Sequence, residues 1–271
     1  MYLDISTMTI EWLAKTLLLV MQTTLFALIF LAVERVRPIQ IIQPFNKEKR
    51  AELLLLLVNG IIFQPFFYFI LVLFFTHTAQ ELIPYQIFNT EIQSLPFFLQ
   101  VFLGLLLLDL KIYIRHRFTH NFMWKTHAVH HSANDINWLT GARLHPSELF
   151  VDTAFTIPVM HFLGFSGDGI IYASMIVFLF NLFTHLNLNL EYPSFLRYIV
   201  GSPNFHRWHH AKLEKEAFNK NFSVMFPFID IILGSFYHPK GKLPKEYGIY
   251  QRPNETPITQ TLWGYLSYPF K

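Results

Sequence analysis

The chain contains no cysteine, which excludes a disulfide framework and any thiolate metal site. A metal bound here is held by nitrogen and oxygen. Charge is scarce as well: 14% of the 271 residues are Asp, Glu, Lys or Arg, against roughly 25% in an ordinary soluble domain. With 52% of residues hydrophobic, that shortage marks a membrane protein, of a length suited to one compact domain with several spanning helices. There is no H-E-x-x-H pentapeptide, so the zinc-protease arrangement of two histidines and a glutamate base is excluded. Gly-rich phosphate loops, internal repeats, low-complexity tracts and nucleic-acid motifs are also missing. The formal net charge is only +3 and the basic residues form no single cluster, so no nucleic-acid partner is expected.

The basic residues instead alternate with long stretches that lack them. Apolar runs cover about 10–33, 53–76 and 97–114, and no Lys or Arg occurs between Ala51 and Leu110. No basic residue precedes Lys15, so the first run lacks the leader of a cleavable signal and is expected to remain as a membrane helix. The connector with Arg35, Arg37, Lys47, Lys49 and Arg50 belongs in the cytoplasm by the positive-inside rule, leaving the N-terminus and the 80–94 loop outside. Lys111 and Arg115 then mark the chain's return to the cytoplasmic side. A second interval without Lys or Arg, Leu144 to Leu196, holds two shorter runs at about 149–163 and 170–184, joined by GFSGDG. The first carries Asp152 and Pro158 and reads as an arm of a membrane hairpin.

Histidines crowd the cytoplasmic side of this plan. His116 and His120 lie in HRFTH, His127, His130 and His131 in HAVHH, and His206, His209 and His210 in FHRWHH. Spacings of three and four put each cluster on one face of a helix. Eight unrelated surface or core histidines would not repeat that spacing. Imidazole suits zinc, copper, iron and nickel alike, but eight or more histidines oversupply one ion and match two. They are also too many, and too near the membrane edge, for the two axial ligands of a b-type haem. Two redox metals open to a membrane-bound substrate point to oxygen chemistry. The alternative is a membrane metal-binding or metal-transport protein, although a transporter places its ligands along a path near the bilayer midplane.

These boxes, with RLHPSE at Arg143 to Glu148, LFTHLNL around His185, and Asn221, Phe222, Asp230, Gly234 and Ser235 farther on, resemble the fatty acid hydroxylase and sterol desaturase superfamily of membrane non-haem di-iron oxygenases. The resemblance covers about 109–236. It implies an all-α fold, an integral membrane helical bundle under a cytoplasmic histidine-rich cap that holds two iron ions, with zinc as a possible replacement on overexpression. It implies that His116, His120, His127, His130, His131, His206, His209 and His210 are metal ligands and His185 a ninth. His145 either completes the set or supports it from behind, or else is a capping or packing histidine before Pro146. Some relatives carry a further histidine where this chain has Asn181.

The implied activity is hydroxylation or desaturation of a lipid C–H bond with O2. Electrons would come from an external donor, a reductase working through a ferredoxin or b-type cytochrome. Sterols, fatty acyl chains, sphingoid and ether lipids and carotenoids all remain candidate substrates, and the membrane is a bacterial inner membrane or the endoplasmic reticulum. A member that keeps the fold only for lipid binding would not need complete boxes. The expected division is N-terminal transmembrane helices over 1–110, the di-iron domain over 111–240 with its hairpin at about 149–185, and an irregular cytoplasmic tail over 241–271. Asp109, Asn134 and Asp135 are candidates to hydrogen-bond the outer ring nitrogens, but read more simply as helix-end or loop polar residues. His77 in the outer loop, His161 and His238 read as structural, as do Asp230 and Gly234. Phe118, Trp138 and Phe205 are placed to shape a lipid channel or to pack.

Overall fold

The computed structural model describes residues 21–22, 24–42, 46–78, 89–250 and 256–271. Every regular element among them is helical, and the only strand-like pairing is an isolated bridge between Ala211 and Tyr247. In chain order the α-helices are α1 (Thr24–Val33), α2 (Lys47–Val58), α3 (Gln64–Thr78), α4 (Asn89–Ser94), α5 (Phe97–Phe122), α6 (Trp124–His131), α7 (Pro146–Phe162), α8 (Gly167–Thr184), α9 (Pro203–His209), α10 (Pro227–Ile232) and α11 (Leu262–Ser267). Among the described residues, three stretches are long and apolar enough to cross a bilayer: Lys47–Leu71, Phe97–Phe122 and Gly167–Thr184. The protein is an all-α membrane protein with a histidine cluster. The expected first run begins outside the described residues, as does most of the 80–94 loop. His77, expected in that loop, falls within the backbone of α3.

The elements follow from local chemistry. Asn46 caps α2 by accepting the Lys49 N–H. A π-turn at Asn59–Phe63 then joins α2 to α3. It ends just before Pro65, which has no N–H to give to a regular helix. α5 runs through the first histidine pair without a Gly or Pro to stop it after Gly104. Its 26 residues reach about 39 Å at 1.5 Å per residue, beyond the roughly 30 Å of hydrocarbon, so its last turns project out with His116 and His120. A short turn joins α7 to α8. Gly164 adopts φ +89° after α7, and Ser166 caps α8 by accepting the Gly169 N–H. Leu108, Met160, Phe165, Ala173 and Val177 lock α5, α7 and α8 together.

Ala51 and Leu55 of α2 pack on Ala128 and Val129 of α6 and on Ile258 and Tyr265 near the C-terminus. The tail therefore departs from the irregular segment expected. Residues 262–267 form α11, capped by Thr261, and a 3-10 turn follows at Tyr268–Phe270. The element is only six residues long with Gly264 inside it, too short and too weak in propensity to show a period. Arg143, fully buried, ties this layer together: its guanidinium donates to Glu48, Glu52, Ser132 and Gln260 and stacks on Tyr265.

Candidate metal centre

Nine histidines converge into two adjacent groups. One holds His116, His120, His127, His131 and His209; the other holds His130, His185, His206 and His210, all buried. In each group the ring nitrogens lie within 4.8 Å of one another. The helices divide their histidines between the groups. On α6, His127 and His131 serve the first and His130 the second; at α9, His206 and His210 serve the second and His209 the first. This corrects the expectation of a single stripe. At about 100° per residue, i and i+4 stay close in angle while i+3 swings to the other side.

The nitrogen geometry suits a metal. Nε2 atoms face each other: His116 and His127 at 3.0 Å, His120 and His131 at 3.1 Å, His120 and His209 at 3.3 Å. In the second group, His185 Nε2 lies 3.0 Å from His206, 3.3 Å from His210 and 3.4 Å from His130. Behind five of the rings, Nδ1 is held by an acceptor, whereas Nδ1 of His130, His206 and His210 has no partner among the described residues. His116 donates to the Phe222 carbonyl, His209 to that of Lys220 and His185 to that of Asn181. His120 donates to Asn219 Oδ1 and His127 to Glu148 Oε2 at 2.8 Å.

An imidazole that donates from Nδ1 carries its lone pair on Nε2. Lone pairs facing each other at 3.0 Å repel, and a cation between them reverses the sign. Two nitrogens each about 2.1 Å from one ion stand roughly 3.0–3.4 Å apart at octahedral or tetrahedral angles, the separations found here. Charge state agrees. Burial, reinforced by neighbouring rings, pushes His130, His131, His206 and His210 well below the ordinary histidine range. Burial takes His185 down to about 4 and His209 to about 3. At neutral pH these rings are neutral, the form that ligates.

His145 belongs to neither group. It caps α7, accepting the Ser147 N–H at Nδ1 with Nε2 on the Leu266 carbonyl. Of the polar residues proposed to hold ring nitrogens, none does so. Asp109 accepts the N–H groups of Val224, Met225 and Phe226, Asn134 offers its carbonyl to Gln40 and Asp135 offers its own to Lys49. The ring nitrogens are held instead by Glu148, Asn219 and three main-chain carbonyls. Asn181, at the position where some relatives carry histidine, contributes one of those carbonyls. His238 is buried apart, with both ring nitrogens unpaired and burial pushing it to about 4. Trp138 is core, Phe205 packs on Phe236, and Phe118 lines a cavity.

Two cavities that share wall residues lie beside the histidines. A chamber of about 150 Å³ touches His116, His127, His130 and His206. An apolar groove of about 510 Å³ between α5 and α7 shares Leu108, Lys111, Arg115 and Thr156 with it and touches no histidine. A third cavity of about 430 Å³ reaches His120, His131 and His209 elsewhere, past Trp124.

Residues 101–235 match the family model described as fatty acid hydroxylase. Over 160 residues the chain is 30% identical to the ornithine lipid hydroxylase OlsE of Rhizobium tropici, covering 57% of this chain and 46% of that protein. Over 154 residues it is 29% identical to the alkylglycerol monooxygenase of Homo sapiens, covering 56% and 33%. The matched region thus spans less than half the length of either relative. No solved structure matches at a significant level.

Proposed function

The chain belongs to the fatty acid hydroxylase family, and from that membership and its paired histidine groups we propose that it is a membrane-bound oxygenase that hydroxylates or desaturates a C–H bond of a lipid. The observation that carries this reading is the double set of facing Nε2 lone pairs beside a groove open to lipid. Two bound iron ions would supply O2 binding and one-electron chemistry. The nine histidines of the two groups would hold them, with His145 left as a cap.

The chain's own residues do the rest. Glu148, Asn219 and the carbonyls of Asn181, Lys220 and Phe222 keep the Nδ1 protons of five histidines in place, so Nε2 is the ligating atom of those five. Leu110, Ile114 and Phe155 line the groove and exclude water from the path to the histidines. In hydroxylation one atom of O2 enters the C–H bond and the other leaves as water with two protons and two electrons. In desaturation the lipid gives up two hydrogens, the donor supplies two more electrons with two protons, and both oxygen atoms leave as water. No cysteine is present for a thiolate redox centre, and the electrons come from a separate reductase through a ferredoxin or b-type cytochrome. Residues 111–240 form the catalytic unit on the cytoplasmic face.

Cells that express the protein with a compatible donor are expected to contain a lipid that gains one oxygen or loses two hydrogens. Label from 18O2, and not from labelled water, should appear in a hydroxylated product, and His130→Ala should make none. Purified protein should carry two metal ions per chain, reduced in His127→Ala and His210→Ala. Oxygen traced to water would sink the oxygenase reading; an unchanged lipid pool with a working donor would favour a metal-binding protein without turnover.

A further inference from the structure

The histidine groups leave a second set of charges without a role. Lys111 and Arg115 stand one turn apart on α5, within a candidate span, where ionisable residues are costly and rarely idle. Both lean on one atom, Asp152 Oδ1, at 2.6 and 3.0 Å. Lys111 Nζ also donates to Thr156 Oγ1 at 2.7 Å, and Arg115 reaches Glu148 Oε2 at 3.3 Å. An ammonium has three N–H groups and a carboxylate two oxygens. Among the described residues, one N–H of Lys111 therefore has no acceptor and Asp152 Oδ2 has no donor, with the Asp152 side chain 32% exposed. An open cationic donor and an open anionic acceptor stand side by side.

Their position gives them a use. Lys111, Arg115 and Thr156 belong to the walls of both cavities, at the junction of the apolar groove with the chamber. The chamber has the room of about five water molecules, far below the roughly 300–1,000 Å³ of a pocket for a whole ligand. Its walls include Asp152, Ser174 and Asn181. A hydrocarbon chain there would strip those groups of water and return no hydrogen bond. The groove, apolar and more than three times larger, suits the chain.

We propose that Lys111 and Asp152 form a headgroup site for a zwitterionic lipid, with its anionic oxygen on the Lys111 ammonium and its cationic N–H on Asp152 Oδ2. The oxidised C–H bond then lies in the headgroup or where it joins the chain. The cluster of Lys111, Arg115, Asp152 and Glu148 is already neutral, so a zwitterion keeps it neutral, whereas a headgroup of one charge would leave a net charge there, a costly arrangement away from water. The oxidation site rests on the lipid oxygenase reading; the binding site does not. In the reaction the headgroup C–H becomes C–OH, O2 is consumed with two electrons and two protons from the external donor system, and water leaves.

The test uses the full metal-loaded chain in detergent with four lipids in competition, read by native mass spectrometry. Phosphatidylethanolamine has both charges and an N–H, phosphatidylcholine has both charges and no N–H, phosphatidylglycerol is anionic and diacylglycerol uncharged. Wild type should retain phosphatidylethanolamine over each of the others by about tenfold, or 1.4 kcal/mol. Lys111→Met and Asp152→Asn should each bring the ratios near parity with metal content unchanged. Thr156→Val keeps both charges and removes only one anchor of Lys111, so it should weaken the preference partly even where the other variants fold poorly. Equal retention by wild type overturns the site, and a preference unmoved in all three variants overturns these residues. Tandem mass spectrometry of the oxygenated product locates the new oxygen. Oxygen in the middle of a chain overturns the headgroup oxidation while the oxygenase reading stands. Selective binding with no oxygenated lipid overturns the oxygenase reading while the headgroup site stands.

Discussion

Glu148 is the residue on which the first histidine group depends most. It is fully buried and joins His127 to Arg115. Replacing it with Gln leaves a shape that still reaches His127 but removes the charge, and replacing it with Ala removes both. Loss of such a supporting partner typically costs about 10–100-fold in metal affinity. Glu148→Ala should therefore release metal to a chelator at correspondingly lower concentration, with Glu148→Gln between it and wild type. Equal retention in all three proteins would mean that Glu148 only packs. The histidines themselves were legible because ligand spacing on a helix is a property of side chains. Their supports were not. Three of the five acceptors are main-chain carbonyls, which every residue has, so no letter in the sequence marks Phe222, Lys220 or Asn181 for the task. The sequence instead favoured visible polar side chains at Asp109, Asn134 and Asp135, and the structure uses these for the backbone and for Lys49.

Among the elements, the segment from Asn219 to Phe226 matters most. Asn219 and Asn221 take φ near +57°, at 56° and 58°, a region that asparagine tolerates better than most residues. The turn they make aims Asn219, Lys220 and Phe222 at three histidines. Two buried carboxylates hold it. Asp109 takes three of its N–H groups, and Asp230 takes those of Phe222 and Ser223 as well as the hydroxyls of Ser223 and Ser235. Each buried donor left unpaired costs on the order of 1–3 kcal/mol. Asp230→Ala should lower Tm and metal content together, whereas Asn219→Gly, which tolerates the positive φ and frees only His120, should lower metal retention with little change in Tm. A stable, fully metallated Asp230→Ala protein would count against this bracing. The hairpin arm α7 was ambiguous in the sequence for a related reason: Asp152 interrupts an apolar run, and its partner Lys111, 41 residues earlier, looked only like a marker of membrane side.

At the level of the whole molecule, the helical membrane architecture was legible because hydrocarbon leaves the backbone few alternatives. The C-terminal layer was not, since α11 is held by contacts with α2 and α6 and not by a period of its own. The missing cysteines make the orientation directly measurable. Asn46→Cys, in the connector before α2, should react with an impermeant thiol reagent only after permeabilisation, and Pro84→Cys, outside the described residues, should react from the outer side in intact cells. The reverse pattern would put the histidines on the other face. The bracing segment also sets an order in time. His116 and the Phe222 carbonyl that fixes it are 106 residues apart, and a ribosome delivers all nine clustered histidines by His210 before it adds Asn219. The nascent chain therefore holds its complete set of ligands before it has Asn219, Lys220 and Phe222, which aim three of them, so the centre matures only after that segment has been made.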